Sequence, residues 1–247
     1  MDKFKKAFKN GANIGYLVAG YPSLEYTKEF LNALDNSALD LLEIGIPYSD
    51  PIADGPAIRD ASFEAVNSGV NARAVFHMLG SVKTTKCLVF LVYYNTIFSY
   101  GEDKFIADCA KVGISGLIIP DLPFEENCSL AKKCAKLGIA LVPLISVTTG
   151  HRAKKILKHA SGFVYMIASL GVTGSKQSPE DRLKELAKNI KKISSLPVAV
   201  GFGVRSNEDV KRLRSFCDGV IMGTVLVEAS KNKSVSELNA LISELFA

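Results

Sequence analysis

A (β/α)8 TIM barrel carrying extra helices, among them an insertion after the second strand, is the α/β fold class that this sequence predicts. Three observations point to it. Short β-rich runs alternate eight times with longer helical patterns along the chain. The runs are nearly continuously apolar, as strands of a parallel sheet covered by helices must be. The chain has 247 residues, close to the roughly 250 usual for such barrels, whose parallel neighbours each need a crossover. A doubly wound open sheet is the other arrangement that this alternation allows.

The expected strands, taken in order and the fifth excepted, each lead into a polar or glycine-bearing turn. Residues 14–19 lead into Gly20-Tyr21-Pro22, residues 39–44 into the stretch from Glu43 to Pro56, and residues 87–92 into Tyr93-Tyr94-Asn95. Residues 116–119 run into Pro120-Asp121-Leu122-Pro123, and residues 139–144 make the fifth strand. Residues 163–168 precede Gly171-Val172-Thr173-Gly174, 197–201 precede Gly201-Phe202-Gly203, and 219–222 precede Gly223-Thr224. Amphipathic patterns predict helices over 24–36, 103–111, 125–136, 179–194 and 207–215, with two more, 57–68 and 72–83, in the long gap after the second strand. No low-complexity linker or internal repeat interrupts the chain, so a single domain spanning 1–247 is expected.

The net charge is +5, with Lys5-Lys6, Lys132-Lys133, Lys154-Lys155 and Lys191-Lys192 spread over separate helical patterns. Such spacing describes solvated helix faces; a nucleic-acid surface would gather its cations in one stripe. Five cysteines and three histidines form no metal-type cluster and no CxxC pair, which predicts no metal and reduced thiols in a cytoplasmic protein. The start, MDKFKKAFKN, lacks the apolar core of a signal peptide, and no apolar run approaches the ~18 residues that cross a bilayer.

The chemistry concentrates in LLEIGIPYSDPIADGP, from Leu41 to Pro56. Glu43 lies among Leu41, Leu42, Ile44 and Ile46, where lost hydration should raise its pKa, whereas Asp54, in a loop punctuated by Pro and Gly, should stay ionised. Two carboxylates with divergent environments suit an acid/base pair with divided roles. At adjoining strands six, seven and eight, the glycines let backbone amides approach an anion, and a short helix over 225–230 would add its positive end, forming a phosphate cradle. In barrels the loops after strands seven and eight often hold phosphate.

At this point the chain resembles the tryptophan synthase alpha subunit family. The residues that carry the resemblance are Leu42-Glu43-Ile44-Gly45-Ile46-Pro47-Tyr48-Ser49-Asp50-Pro51, Ala53-Asp54-Gly55-Pro56, Gly171-Val172-Thr173-Gly174 and Gly201-Phe202-Gly203, in order across nearly the whole chain. The resemblance implies cleavage of indole-3-glycerol phosphate to indole and glyceraldehyde 3-phosphate, with indole passed to a beta subunit that carries pyridoxal phosphate. It implies no cofactor in this chain and an α2β2 assembly. It makes Glu43 the acid/base, Asp54 the carboxylate facing the indole N–H, and Tyr165 a positioning residue for substrate or Glu43. Tyr16, Leu91, Tyr93, Ile118 and Phe202 would form the apolar slot for the ring. Thr173, Gly174, Gly203, Gly223 and Thr224 would bind substrate, mainly at its phosphate. Asp121 matches a position near the partner and the closing loops, or else caps a helix or turn. The chain departs from the family in having Tyr16 where Phe is commoner, Ser169-Leu170 where a basic residue is common, with Lys176 as partial compensation, and Thr224 where Ser is frequent. The loop over 169–181 is expected to close over substrate.

Two other readings share parts of this pattern. A barrel kept only as an interaction module would have no need of the Glu43 and Asp54 pair. Phosphosugar isomerases and epimerases share the cradle, and that same pair separates them from this chain.

Overall fold

The computed structural model describes residues 2–167, 178–201 and 203–247. Its strands are β1 (Ala12–Val18), β2 (Leu41–Gly45), β3 (Cys87–Leu91), β4 (Gly116–Ile118), β5 (Ala140–Leu141), β6 (Leu144–Ser146), β7 (Val164–Ile167), β8 (Val198–Gly201) and β9 (Gly219–Met222). All pairings are parallel, in the order β5-β4-β3-β2-β1-β9-β8-β7-β6. The two ends of that order, β5 and β6, are successive pieces of one short stretch of chain, so the sheet curls round on itself as a barrel.

The single strand expected over 139–144 is therefore two short strands. Pro143 has no N–H to give to a ladder, and the pairing changes sides there. The Val142 N–H still donates to the Leu117 carbonyl at 2.9 Å, and the Pro143 carbonyl accepts from Tyr165 N–H at 3.0 Å. Those two bonds stitch the β4 side to the β7 side through the break.

Period-2 alternation sorts side chains between two cores. Ile14, Leu41, Val89, Ile118, Phe163 and Ile221 point inward, while Leu42, Ile44, Phe90, Val164, Val200 and Val220 pack beneath the helices. At the N-terminal end of the barrel the helix Asp2–Ala7 and the turn after it bring Phe4 and Phe8 against Phe163, with ring centroids 6.1 and 5.4 Å away. The strands are cut back to make room: a Cβ on Gly116 would stand 3.0 Å from Phe4, and one on Gly219 2.8 Å from Phe8. That end is thereby plugged.

Helices form close to where the patterns place them, with the largest shifts at their ends. The segment expected over 24–36 is an α-helix, Leu24–Ala33, followed by a 3-10 turn, Leu34–Asn36. The one expected over 72–83 runs Ala72–Leu79, started by Asn71, whose side chain accepts from Arg73 and Ala74 N–H, and stopped at Gly80. Cys128–Lys136 begins three residues later than expected. Arg152–Leu157 carries Lys154-Lys155, already read as part of a helical pattern, whereas the helices Tyr94–Tyr100 and Val235–Leu245 were not expected. The first of those two is written in Thr, Ile, Phe and Tyr, residues that favour strands, and buried Ile97 shows tertiary packing overriding that preference. The last carries a capping box, Ser234 with Glu237, a start signal legible in sequence. Among the described residues no helix is long and apolar enough to cross a membrane.

Candidate active site

Glu43 stands in the middle of β2, in register with Tyr16 of β1 and Val89 of β3. Because Leu42 and Ile44 on either side face the helices, Glu43 must face the barrel interior. It is 1% exposed, and its Oε1 has no hydrogen-bond partner among the described residues. Burial pushes its pKa up to about 8. At neutral pH the group is therefore mostly a carboxylic acid, able to donate a proton.

Asp54 sits in the loop between β2 and the helix Pro56–Asn67 and is only partly buried. Burial raises its pKa, and a hydrogen bond from the Tyr93 hydroxyl to Oδ2, 3.1 Å long, works against that rise. The same hydroxyl accepts the Ala53 N–H at 2.9 Å. Tyr93 stacks on Tyr48 with centroids 5.0 Å apart, and Asn95 donates to the Tyr48 hydroxyl at 3.2 Å. The Asp121 carboxylate accepts the Tyr94 N–H at 2.8 Å, so it caps the start of Tyr94–Tyr100 from the end of β4. The loops after β2, β3 and β4 are thus tied together behind Asp54.

A cavity of about 540 Å³ opens at the C-terminal ends of the strands. Of the residues singled out in the sequence, Glu43, Asp54, Tyr16, Leu91, Ile118, Tyr165, Gly203, Gly223 and Thr224 line it. Tyr93 does not; it lies behind Asp54, which makes it a support for that carboxylate in place of the slot wall expected. Thr173, Gly174, Phe202 and most of the loop expected to close lie outside the described residues.

Glycines shape the upper interior. A Cβ on Gly201 would come within 2.5 Å of the Tyr165 hydroxyl, and one on Gly45 would collide with the Tyr16 hydroxyl. Both phenols have pKa values well above the ordinary range, first from burial and then from the nearby Glu43 and Asp54 carboxylates. They remain neutral donors beside the two acids. Sequence reading missed Leu144, Ile167 and Ile221 on the apolar wall and the charged Arg205 and Glu228 at the rim. Strand alternation carried the signal for the isoleucines: Ile167 is two residues after Tyr165, and Ile221 two before Gly223.

A curled parallel barrel, plugged at one end and holding two unlike carboxylates in a cavity at the other, defines a TIM-barrel enzyme site. The chain belongs to the tryptophan synthase alpha chain family, whose profile matches residues 3–245. It is 48% identical to the tryptophan synthase alpha chain of Campylobacter jejuni subsp. doylei over 247 residues, covering 100% of this chain and 99% of that protein. A Thermoanaerobacter relative of the same description is 40% identical over 241 residues, covering 95% and 92%. The solved structure of the Campylobacter jejuni alpha subunit superposes with a TM-score of 0.93 at 48% identity, covering 98% of each chain. A chain of the M. tuberculosis tryptophan synthase gives 0.88 at 32% identity, covering 99% and 95%. The family's enzymes are carbon–carbon lyases that cleave indole-3-glycerol phosphate in tryptophan biosynthesis, and they work with a beta subunit.

Proposed function

We propose that this chain, acting as one barrel domain over 1–247, cleaves indole-3-glycerol phosphate with Glu43 as acid/base and Asp54 as the stabiliser of the indole N–H. The observation that carries this reading is the pairing, in one cavity, of a fully buried Glu43 whose Oε1 is unpartnered with a half-buried Asp54 held by Tyr93.

The reaction is a retro-aldol. Glu43, protonated at neutral pH, gives its proton to C3 of the indole ring, and positive charge develops at the ring nitrogen. Ionised Asp54 accepts a hydrogen bond from that N–H and stabilises the charge. The carbinol hydroxyl next to the ring then loses its proton to the Glu43 carboxylate, the carbon–carbon bond breaks, and its electrons return to the ring. Indole and the aldehyde of glyceraldehyde 3-phosphate result, and Glu43 ends protonated as it began. Tyr165, over Gly201, positions the substrate beside Glu43. Tyr16, Leu91, Ile118 and Phe202 enclose the ring. Thr173, Gly174, Gly203, Gly223 and Thr224 hold the phosphate end. No cofactor of this chain enters these steps.

Indole passes to a beta subunit, where pyridoxal phosphate supports the next reaction, within an α2β2 assembly. Exposed Ile52 and Phe98, 79% and 68% accessible, lie in the segments after β2 and β3 at the cavity end of the barrel, where a partner receiving the product has to dock. The protein works in the cytoplasm, on a small molecule and at no nucleic acid or membrane. The test is indole release from indole-3-glycerol phosphate by the purified chain beside Glu43→Gln, with and without a beta subunit. Wild-type release that the variant abolishes supports the reading; no release even with the partner overturns it.

A further inference from the structure

Four charged residues line the described part of the cavity: Glu43, which is buried, Asp54, which is partly buried, and Arg205 and Glu228, whose side chains are exposed. Arg205 is the one cation among them. It lies two residues after Gly203, past the end of β8, while Glu228 stands on the helix Thr224–Ser230 just past Gly223 and Thr224. Their closest nitrogen and oxygen are 3.8 Å apart, and the side chains are 65% and 50% exposed. That separation exceeds hydrogen-bond length. An exposed pair of this kind is worth little, so the guanidinium can leave it at small cost. The backbone at Arg205 is held: its N–H donates to Asp209 Oδ2 at 3.0 Å, within the capping box that starts Asn207–Arg214. A fixed backbone with an uncommitted side chain at the cavity rim is an arrangement suited to a ligand contact.

We infer that Arg205 is a phosphate-selecting residue, which exchanges its loose contact with Glu228 for the dianion of a phosphomonoester, and that Glu228 tunes the selection by competing for the guanidinium. The inference rests on the functional reading above for where the phosphate lies, beside Gly203, Gly223 and Thr224. A dianion entering a cavity that also holds the Asp54 and Glu228 carboxylates is opposed by Glu228 unless a cation intervenes. Arg205 supplies that cation in a planar fork matched to phosphate oxygens. Glu228 keeps the fork at the rim between substrates and limits affinity for any anion too weak to displace it. Selectivity against unphosphorylated indole glycerols follows.

The test measures binding of sn-glycerol 3-phosphate to the full chain by isothermal titration, together with kcat and KM for indole-3-glycerol phosphate. Arg205→Ala should weaken binding and raise KM by about tenfold or more, the loss of one charge-assisted contact, with kcat changed less than about twofold. Arg205→Lys should recover part of the affinity. Glu228→Gln should shift it the other way, tightening binding several-fold. A merely structural ion pair would make Glu228→Gln and Arg205→Ala alike, and that result overturns the inference, as does unchanged affinity in Arg205→Ala. Should the wild type bind glycerol phosphate through Arg205 yet release no indole, the selection stands and the lyase reading falls. Indole release with an unaltered KM in Arg205→Ala gives the converse.

Discussion

The Tyr93 hydroxyl and the Asp54 carboxylate form one unit: the hydroxyl donates to Oδ2 at 3.1 Å while accepting the Ala53 N–H at 2.9 Å, so a single oxygen fixes both the loop and the side chain it presents. Donation to the charged form offsets part of the rise that burial imposes on Asp54. Tyr93→Phe removes that donor. The Asp54 pKa should rise further, so the acidic limb of kcat/KM should move to higher pH, and kcat/KM at neutral pH should fall about tenfold, the scale of one hydrogen bond to a charged group. A pH–rate profile of the variant that coincides with the wild type would show that Tyr93 leaves Asp54 alone.

Glu43, the acid/base of the proposed mechanism, also bears on stability with a sign that can be worked out. Its folded pKa, about 8, lies above the ordinary 4.5. Between those values the folded state binds more protons than the unfolded one, so stability falls as pH rises through the window. Glu43→Gln cannot ionise and escapes that loss. Its Tm relative to the wild type should climb between about pH 5 and pH 8, toward a gain on the order of 3 to 5 kcal/mol. Its kcat should drop by about 10²- to 10⁴-fold, as for loss of a general acid/base. Calorimetry across that range reads the first effect; a Tm difference independent of pH would show that the carboxyl is not held neutral.

These two acids were legible in the sequence because each belongs to a local pattern: Glu43 interrupts an apolar strand, and Asp54 sits between turn residues in ADGP. The barrel was legible for a similar reason, since apolar strands and amphipathic helices each announce themselves within a dozen residues. The role of Tyr93 was not. Whether a strand-end tyrosine lines a slot or braces a carboxylate depends on a partner 39 residues away. Arg205 and Glu228 escaped notice because either one alone looks like a solvated charge, and only the return of the chain from β8 to β9 brings them together. The break in the fifth strand was visible in Pro143, but which neighbour each half would join was settled by barrel closure, a property of the whole sheet.

Gly201 is where packing meets chemistry. A methyl there would lie 2.5 Å from the Tyr165 hydroxyl and 3.1 Å from the Ile221 Cβ. Gly201→Ala should cost about 1 to 3 kcal/mol of stability through overpacking, and it should lower kcat/KM as the phenol is displaced from beside Glu43. Removing the hydroxyl as well, in Gly201→Ala with Tyr165→Phe, should restore most of the stability but not the activity. Thermal unfolding of the four members of this cycle measures the coupling. Additive losses would mean that the two side chains do not meet.

Phe98 offers a test of the partner surface that leaves the cavity untouched. Its ring is 68% exposed on the helix Tyr94–Tyr100, whose first turn is capped by Asp121 and whose buried face is anchored by Ile97. Exposing so large an apolar side chain gains the isolated chain nothing, yet an aromatic at the centre of an interface commonly contributes 2 kcal/mol or more, about thirtyfold in affinity. Phe98→Asp should therefore weaken association with a beta subunit by about that factor and reduce the partner's stimulation of indole release, while release by the isolated chain stays at the wild-type rate. Sedimentation of the mixed subunits and parallel assays with and without the partner measure the two effects. Equal association by the variant and the wild type would place the contact elsewhere on the barrel, away from the helix that follows β3.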